Sequence, residues 1–360
     1  MNIVKLTKEK FTDWNKFCLE SDDAWFWHRA DWLQYILNYN PKLKLENLSF
    51  LVYNGDEIAA IVPLILANNE GRKEFTYGGW PIQYPAFSNK LSNEKKEAIS
   101  KLIFNKIDRL ALENNVAWSY FIQTPMAKSF LGSEYLPYNY LMKYCYINIS
   151  INSQIIDLRK SEEELWGNLR RNHRRNIKKE KEKNYKIKIY TANDITEEIF
   201  NNYKEMHHKA AGRKTRPDTT FTMMYNWLKE DLAFLVVAEY QGKQIGFEYY
   251  TIYKDNVYGF SAANDPDFVD LPIRHLIEWE AILWMKKKKC NFYEIGWQHY
   301  SYQPYDFPDE KLVNISHFKK GFGGFTVPLF MSEKFYDKNY FLKVYQERIN
   351  KYAGAIKNKI

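Results

Sequence analysis

The stretch FLVVAEYQGKQIGFEYYTIYKDNVYGFSAA, residues 234–263, predicts three consecutive strands of one antiparallel sheet. Its apolar runs are separated by the turn sequences QGK at 241–243 and KDN at 254–256. A helical pattern follows at 272–289, and the strand pattern NFYEIGW follows at 291–297. Two hairpins made of three strands, followed by a helix and a strand, predict a mixed, largely antiparallel sheet flanked by helices.

The first half of the chain repeats this order of elements. A hairpin pattern around Asn54-Gly55-Asp56 precedes a helix at about 94–114 and a strand at 116–123. The spacing Y-x-G-x-x-I of residues 53–58 recurs at residues 240–245. The repeated order favours a duplicated fold over a chance match, so we predict an α/β (α+β) protein with two tandem domains of one type.

The domain boundaries follow from these patterns. We predict an N-terminal domain at 1–150, a C-terminal domain at 151–333 that opens with a basic helix, and a basic amphipathic helix at 334–360. A hydrophobic content of 45% in 360 residues is ample for two cores. The tail helix is predicted to pack or lie at the surface, and a peripheral contact with a membrane stays open.

Composition excludes several classes of protein. Three widely spaced cysteines indicate a reducing compartment, without a disulfide framework or a metal cage. The N-terminus lacks the apolar core of a signal peptide, and no run of about 18 apolar residues is present. We therefore expect a cytoplasmic protein without a transmembrane segment or a metal. The net charge of +8 permits anionic partners without requiring them.

The segment DLRKSEEELWGNLRRNHRRNIKKEKEK, residues 157–183, predicts one basic helix. Ser161 and Glu164 have the spacing of a capping box. From Arg170 to Lys183 the chain holds eight Lys or Arg and two Glu, a local charge of +6 out of +8. One interpretation is a solvated surface helix. The other is a basic ridge for a polyanion or a phosphate-bearing substrate, with Arg174 among the binding residues.

Two basic groups are candidates for the chemistry. Lys319 lies in a glycine-flanked turn, where a cation can meet an oxyanion or a phosphate, and Lys320 is the alternative. Arg213 and Arg216 flank a lysine before a proline, and arginine suits bidentate capture of phosphate or carboxylate. In each case the alternative interpretation is a basic group that is simply exposed to solvent.

A general base is harder to choose from the sequence. Glu248 and Tyr250 have the same parity on one predicted strand, so they share a face of the sheet. Glu294 is on the last strand, and His299 follows it. We place Glu248 first as base, with Tyr250 and His299 as substrate contacts. A buried, hydrogen-bonded structural role for Glu248 remains the alternative.

Four motifs in order resemble the Fem family of peptidyltransferases, which have two GNAT acyltransferase domains in tandem. They are SEEELWGNLRRNHRRNIKK at 161–179, HKAAGRKTRPDTTF at 208–221, PIRHLIEWEAILWMKKKKCNFYEIG at 272–296 and HFKKGFGG at 317–324. The resemblance covers roughly residues 30 to 330. It implies acyl transfer to an amine, from aminoacyl-tRNA to a cell-wall (peptidoglycan) precursor that carries a sugar nucleotide or a lipid pyrophosphate.

One departure concerns the acyl donor. A typical GNAT domain binds the pyrophosphate of coenzyme A with a glycine-rich turn at a helix N-terminus, but AANDPDFVDLPIRHL has no glycine. We therefore expect no bound cofactor, with the donor arriving as a co-substrate. Three hypotheses stay open: a Fem-type aminoacyltransferase, an N-acyltransferase that uses acyl-CoA or an acyl carrier protein on an amino sugar, and a non-catalytic tRNA- or RNA-binding module.

Overall fold

The protein is described by a computed structural model that covers residues 1–131, 138–300, 305 and 307–357. The chain divides into two compact units. The first unit consists of Met1–Asn152, Gln298–Ile315 and Pro328–Ile360, and the second of Ser153–Trp297 and Ser316–Val327.

The described ranges contain helices and strands in a mixed order. In the first part they are β1 (Asn2–Lys5), α1 (Phe11–Glu20), α2 (Ala30–Tyr39), β2 (Glu46–Asn47), β3 (Phe50–Asn54), β4 (Glu57–Val62), β5 (Ile65–Asn69), β6 (Arg72–Phe75), β7 (Ile82–Gln83), β8 (Ala86–Phe87), α3 (Asn93–Glu113), β9 (Val116–Ile122), α4 (Lys128–Leu131) and β10 (Ile147–Asn148). In the second part they are β11 (Ile151–Asp157), α5 (Glu162–Asn168), α6 (Arg171–Lys181), β12 (Tyr185–Tyr190), α7 (Glu197–Ala211), α8 (Asp218–Lys229), β13 (Ala233–Tyr240), β14 (Lys243–Tyr253), β15 (Asn256–Asn264), α9 (Ile273–Lys287), β16 (Phe292–Gln298), α10 (Glu310–Lys320), β17 (Phe325–Leu329), β18 (Met331–Phe335) and α11 (Lys338–Lys357).

The second unit is built on one seven-stranded sheet in the order β12-β13-β14-β15-β16-β11-β17. Both predicted hairpins are present, because β13, β14 and β15 pair antiparallel in sequence. The turn residues Gln241 and Gly242 have φ of 50° and 77°, and Lys254 and Asp255 have φ of 50° and 61°. Two consecutive left-handed residues match the right-handed twist of the flanking strands.

Both units contain the same parallel crossover, which confirms the predicted duplication. In the first unit β6 and β9 pair in parallel through α3, and in the second β15 and β16 pair in parallel through α9. The two copies differ at one strand. The second unit has a single strand of 11 residues, β14, where the first unit has two, because β4 ends at Val62 and β5 begins at Ile65. Pro63 lies at this break because it cannot donate to a strand ladder. The first unit accordingly has two sheets, β1-β3-β4-β8 and β10-β18-β9-β6-β5-β2.

The C-terminal residues belong to a different unit from the one expected. β17 joins the sheet of the second unit beside β11, but β18 pairs with β9 and β10 in the first unit. The predicted limit of 333 between the second domain and the tail therefore falls inside a strand of the first unit. The predicted tail helix is present as α11, and the expected limit of 150 lies two residues before the end of Met1–Asn152.

The segment at 157–183 is two helices, so the prediction of one helix is wrong. The capping box is formed: Ser161 Oγ accepts from Glu164 N at 3.1 Å, and Glu164 Oε2 accepts from Ser161 N at 2.9 Å. α5 then ends at Asn168, and Leu169 and Arg170 are extended. The break lets Leu169 turn into the core, where it is 2% exposed. Within the described ranges, no helix has the length and apolar character needed to cross a bilayer.

Candidate active site

The parallel strands β15 and β16 pair over only part of their length. Their register joins Asn256–Tyr258 to Phe292–Glu294, yet β15 continues to Asn264 and β16 to Gln298. The two strands therefore separate after Tyr258 and Glu294. They leave an opening between them at their carboxyl ends. In α/β sheets this is where ligands commonly bind. Each strand has a glycine at this opening, Gly259 and Gly296.

The glycine of β16 makes room for Lys319. A Cβ atom on Gly296 would lie 2.5 Å from Lys319 Nζ, and the φ of +119° at Gly296 favours glycine there. Lys319 comes from the last turn of α10. Burial, together with the nearby Arg274, lowers the pKa of Lys319, against the opposing effect of three glutamates. In the part of the chain that the structure describes, no ion pair or side-chain hydrogen bond holds this ammonium group.

Glu294 lies on the same strand as Gly296, two residues earlier. It is 2% exposed, and Ser153 Oγ donates to its Oε1 at 2.6 Å. Burial raises the pKa of Glu294 to about 7, although the Ser153 hydrogen bond and the Lys319 charge both lower it. A carboxyl group that titrates near neutral pH can accept and return a proton under ordinary conditions.

A second group of charged side chains surrounds the start of α9. Arg274 Nη2 donates to Glu248 Oε1 at 2.6 Å and lies 3.4 Å from Glu278 Oε1. Glu278 Oε2 also accepts from Tyr293 Oη at 2.8 Å and from Tyr250 Oη at 3.2 Å. Glu248 and Tyr250 therefore share a face of the sheet, as the alternation along β14 predicts.

This cluster ties Glu248 to its neighbours more tightly than the sequence indicates. Burial raises the pKa of Glu248 well above its usual range, and Glu278 adds to that effect, while Arg274 opposes it. Glu248 is 2% exposed and shares its Oε1 with a guanidinium group. Because its Oε1 is bound to Arg274, Glu248 is less able than Glu294 to take a proton from a substrate. This arrangement favours a structural role for Glu248.

Arg216 is part of a separate polar group on the other side of β14 and β15. Its Nη2 lies 2.8 Å from His207 Nε2 and 3.2 Å from Ser261 Oγ, and its guanidinium lies 5.1 Å from the Phe221 ring centroid. Burial, followed by the Arg216 charge, lowers the pKa of His207 to about 4. A neutral His207 accepts the Arg216 hydrogen bond while Thr215 Oγ1 lies 2.9 Å from its Nδ1.

The structure does not gather Arg174, Arg213 and Lys320 at the opening. Arg174 Nη1 donates to Gly167 O and Leu169 O, each at 2.7 Å, so it caps the end of α5. Arg213 and Lys320 are exposed at helix ends. His299 directly follows β16 and is half-buried.

Two charged residues of the site, Arg274 and Glu278, were missed by the sequence reasoning. Their spacing of four residues on one helix is a signal for an ion pair, but it is usually an exposed one. Here Glu278 is 2% exposed and the Arg274 side chain is 26% exposed. Only the packing of α9 on the sheet shows that the pair lies inside.

The comparisons with known proteins agree with this geometry. The family model of the acetyltransferase (GNAT) domain matches residues 167–304. This match supports an acyltransferase of the GNAT fold in that part of the chain. The matched residues include the three strands β13–β15, the crossover helix α9 and β16. No curated protein matches the sequence of this chain.

Solved structures extend the likeness of fold from the GNAT domain to almost the whole chain. FemX has a TM-score of 0.66 at 10% identity, with 96% of this chain and 100% of that chain covered. L-PGS from Bacillus licheniformis has a TM-score of 0.59 at 11% identity, covering 96% and 98%. A tandem GNAT protein from the clavulanic acid biosynthesis pathway has a TM-score of 0.50 at 10% identity, covering 93% and 98%. The predicted Fem-type, double-GNAT architecture is confirmed.

Proposed function

We propose that this protein transfers an aminoacyl group from an ester donor to an amine, with Lys319 and Glu294 as the reacting pair. The observation that carries the proposal is their position at the opening between β15 and β16 of the GNAT domain. One group is a half-buried cation, and the other is a buried carboxyl whose pKa is about 7. Aminolysis needs both a stabiliser of negative charge and a proton acceptor.

The proposed reaction proceeds by direct attack. The neutral amine of the acceptor forms a bond to the ester carbonyl carbon, and the Lys319 ammonium stabilises the negative oxygen that develops. The carboxylate of Glu294 takes the proton that the attacking nitrogen loses. The ester C–O bond then breaks, and Glu294 returns that proton to the leaving oxygen. Ser153 keeps Glu294 oriented through its 2.6 Å hydrogen bond.

The start of α9 supports an ester donor over coenzyme A. Pro272 stands at the N-cap and has no N–H group to offer a phosphate. The preceding loop contains Asp265, Asp267 and Asp270, of which only the first two contact Lys209, at 2.5 and 2.7 Å. A pyrophosphate at this helix end would meet excess negative charge, without glycines to let the backbone approach.

The exposed face of α6 supports a polyanionic carrier for the acyl group. Five of the eight basic residues at 170–183 are exposed and, within the described ranges, form no ion pair or side-chain hydrogen bond: Arg170, Arg171, Arg175, Lys178 and Lys179. Its other face packs inside the protein, because Ile177 and Glu180 are fully buried and His173 is 5% exposed. We propose that this basic ridge binds the tRNA of an aminoacyl-tRNA donor.

The acceptor is proposed from the fold neighbours. FemX is similar in fold, and so is the C-terminal domain of a putative lysylphosphatidylglycerol synthetase from Agrobacterium fabrum, with a TM-score of 0.57 at 10% identity and 90% of each chain covered. The resemblance to Fem proteins favours the amine of a cell-wall precursor in the cytoplasm. An amino sugar acylated from acyl-CoA is the second candidate, because the matching family model is that of an acetyltransferase domain.

A transfer assay with matched variants tests the catalytic residue. Purified protein receives either charged tRNA or acetyl-CoA, with a sugar-nucleotide-linked peptide amine or glucosamine as acceptor. Lys319→Met is expected to lower kcat about 100-fold, as the loss of an oxyanion donor does. Lys320→Met, the exposed neighbour, is expected to keep it. Equal activity of both variants in folded protein would remove Lys319 from the mechanism.

A binding assay tests the carrier. Charge reversal at Arg171, Arg175 and Lys178 is expected to lower the slope of log K for tRNA against log salt by about 2 to 3. The control reverses Lys186 and Lys188, which are exposed on β12 but contact Glu239 and Asp194. If tRNA binding is unaffected by the α6 variant while acetyl-CoA supports transfer, the second candidate replaces the first.

A further inference from the structure

Lys319 lies in the last turn of α10, and the backbone of that turn is closed by its own hydrogen bonds. The final carbonyl groups of a helix have no partner within the regular helical pattern. Here Phe318 O accepts from Gly321 N at 3.0 Å, and Lys319 O accepts from Phe322 N at 3.1 Å. These two bonds form a tight turn directly after the lysine. The position of Lys319 therefore depends on what holds this turn against the rest of the unit.

His173 of α6 is hydrogen-bonded to the same turn. Its Nε2 lies 2.9 Å from Phe318 O, and because a carbonyl oxygen only accepts, His173 donates from Nε2. Its Nδ1 is buried and contacts no hydrogen-bond partner among the residues that the structure describes. The side chain is 5% exposed, so the bond is shielded from water. His173 thus adds a second donor to the carbonyl group one residue before Lys319.

The His173 ring also fills the space beside the turn. Its centroid lies 4.7 Å from that of Phe322 and 5.4 Å from that of Phe318. A Cβ atom on Gly321 would overlap the ring, so the glycine allows the ring to lie directly against the backbone. Arg170 N donates to Gly321 O at 2.9 Å. The start of α6 therefore holds the turn by two hydrogen bonds and by close packing.

The ammonium end of Lys319 takes its position from this turn. Within the described ranges no ion pair or side-chain hydrogen bond holds the group directly. Its Nζ occupies the space that a Cβ atom on Gly296 would approach to 2.5 Å, and its charge acts on Glu294. A displacement of a catalytic group by about 1 Å can lower the rate by about 100-fold. A small shift of the turn would therefore be enough to impair the proposed reaction.

We propose that His173 is a positioning residue, whose Nε2–H and ring hold the end of α10 where Lys319 meets the developing oxyanion. It acts through Lys319 and not by contact with the substrate. The inference rests on the proposed function for the role of Lys319, whereas the contact between His173 and the turn does not. It gives α6 two roles, because the exposed face carries the basic ridge and the buried face fixes the lysine.

Two substitutions of similar size separate the hydrogen bond from the packing. Glutamine can place an amide N–H where His173 Nε2 lies, whereas methionine has the same length and no donor. In the transfer assay, His173→Met is expected to lower kcat about 10- to 100-fold, with Michaelis constants changed by less than about threefold. His173→Gln should keep kcat within about fivefold of that of the unchanged protein. Equal kcat values for the two folded variants would overturn the inference.

A measurement without substrate separates the inference from the proposed function. The rate at which an amine-selective anhydride modifies Lys319 is followed by mass spectrometry as the pH rises, which gives the pKa of this lysine. Burial and the Arg274 charge lower that pKa in the unchanged protein. His173→Met should raise it towards the ordinary 10.5, because the released turn exposes the ammonium group, and His173→Gln should not. An unchanged pKa in His173→Met would overturn the inference even in an active transferase.

The control is His317→Met, which replaces an exposed histidine of α10 two residues before Lys319. It should change neither kcat nor the pKa of Lys319. An equal loss in His317→Met and His173→Met would overturn the inference, because the effect would not depend on the buried contact. If the unchanged protein transfers no acyl group from any donor, the proposed function fails. The pKa of Lys319 in the two His173 variants then still decides whether His173 holds the turn.

Discussion

Replacing Glu294 by glutamine is expected to change how the stability of the protein depends on pH. Glu294 is 2% exposed, and its pKa is raised by burial from the ordinary 4.5 to about 7. Glutamine has nearly the same shape, and its oxygen can still accept the 2.6 Å hydrogen bond from Ser153. The substitution therefore removes the ionisation and keeps the packing.

The size and sign of the change in stability follow from the pKa of Glu294 in the unfolded and in the folded chain. Below pH 4.5 the group is protonated in the folded and the unfolded chain, so it does not change the free energy of unfolding. As the pH rises from 4.5 to about 7, the unfolded chain releases its proton while folded Glu294 keeps it, so stability is lost. At about 1.4 kcal/mol per pH unit, the loss reaches about 3 kcal/mol. The Glu294→Gln variant does not show this loss, because glutamine does not ionise.

Urea unfolding followed by tryptophan fluorescence, at intervals from pH 4.5 to 8, measures the effect. The free energy of unfolding of the variant minus that of the unchanged protein should rise by about 3 kcal/mol across this range. Glu163→Gln, an exposed change on α5, should give a constant difference. A constant difference for Glu294→Gln as well would show that the carboxyl is ionised normally in the folded protein. It would then be unsuited to the role of base that we propose.

Three further substitutions test the packing around the site by urea unfolding. Arg274→Met leaves two buried carboxylates without their cation and should cost about 3 kcal/mol, and a smaller loss than 1 kcal/mol would contradict the buried pairing. Gly321→Ala places a Cβ against the His173 ring, closer than real Cβ contacts, and should destabilise by about 2 kcal/mol. Its matched control, Gly354→Ala in α11, meets no atom within 4 Å and should stabilise by up to about 1 kcal/mol. Arg174→Ala uncaps α5 and should cost about 1 kcal/mol, with no change in the Michaelis constant for the acceptor if its role is only structural.

The strands and helices could be predicted because their patterns are local. The turn sequences at 241–243 and 254–256 and the alternation along β14 each act within a few residues. Pro63 marks the point at which one strand becomes two, because a proline cannot donate to a strand ladder. The duplicated crossover could be recognised because both copies keep the order of elements, although the sheets differ.

The site could be predicted only in part, because its geometry depends on contacts between distant residues. Lys319 was recognised from its glycine-rich surroundings, but the reason for its position is the glycine at 296. Arg174 looked like a ligand for anions, and it instead binds two carbonyl groups at a helix break that the charge pattern does not reveal. The partner of Glu248 is Arg274, which a strand pattern cannot indicate.

The return of the chain to the first unit has a consequence for synthesis on the ribosome. β18 lies between β10 and β9 in the sheet, so residues 331–335 fill an interior position. Arg348 and Tyr345 of α11 then bind the fully buried Glu333. A nascent chain that has emerged only to residue 152 has an unfilled gap between β10 and β9. The N-terminal unit is therefore completed late, when its last strand has emerged, in contrast to the usual N-to-C order of domain folding.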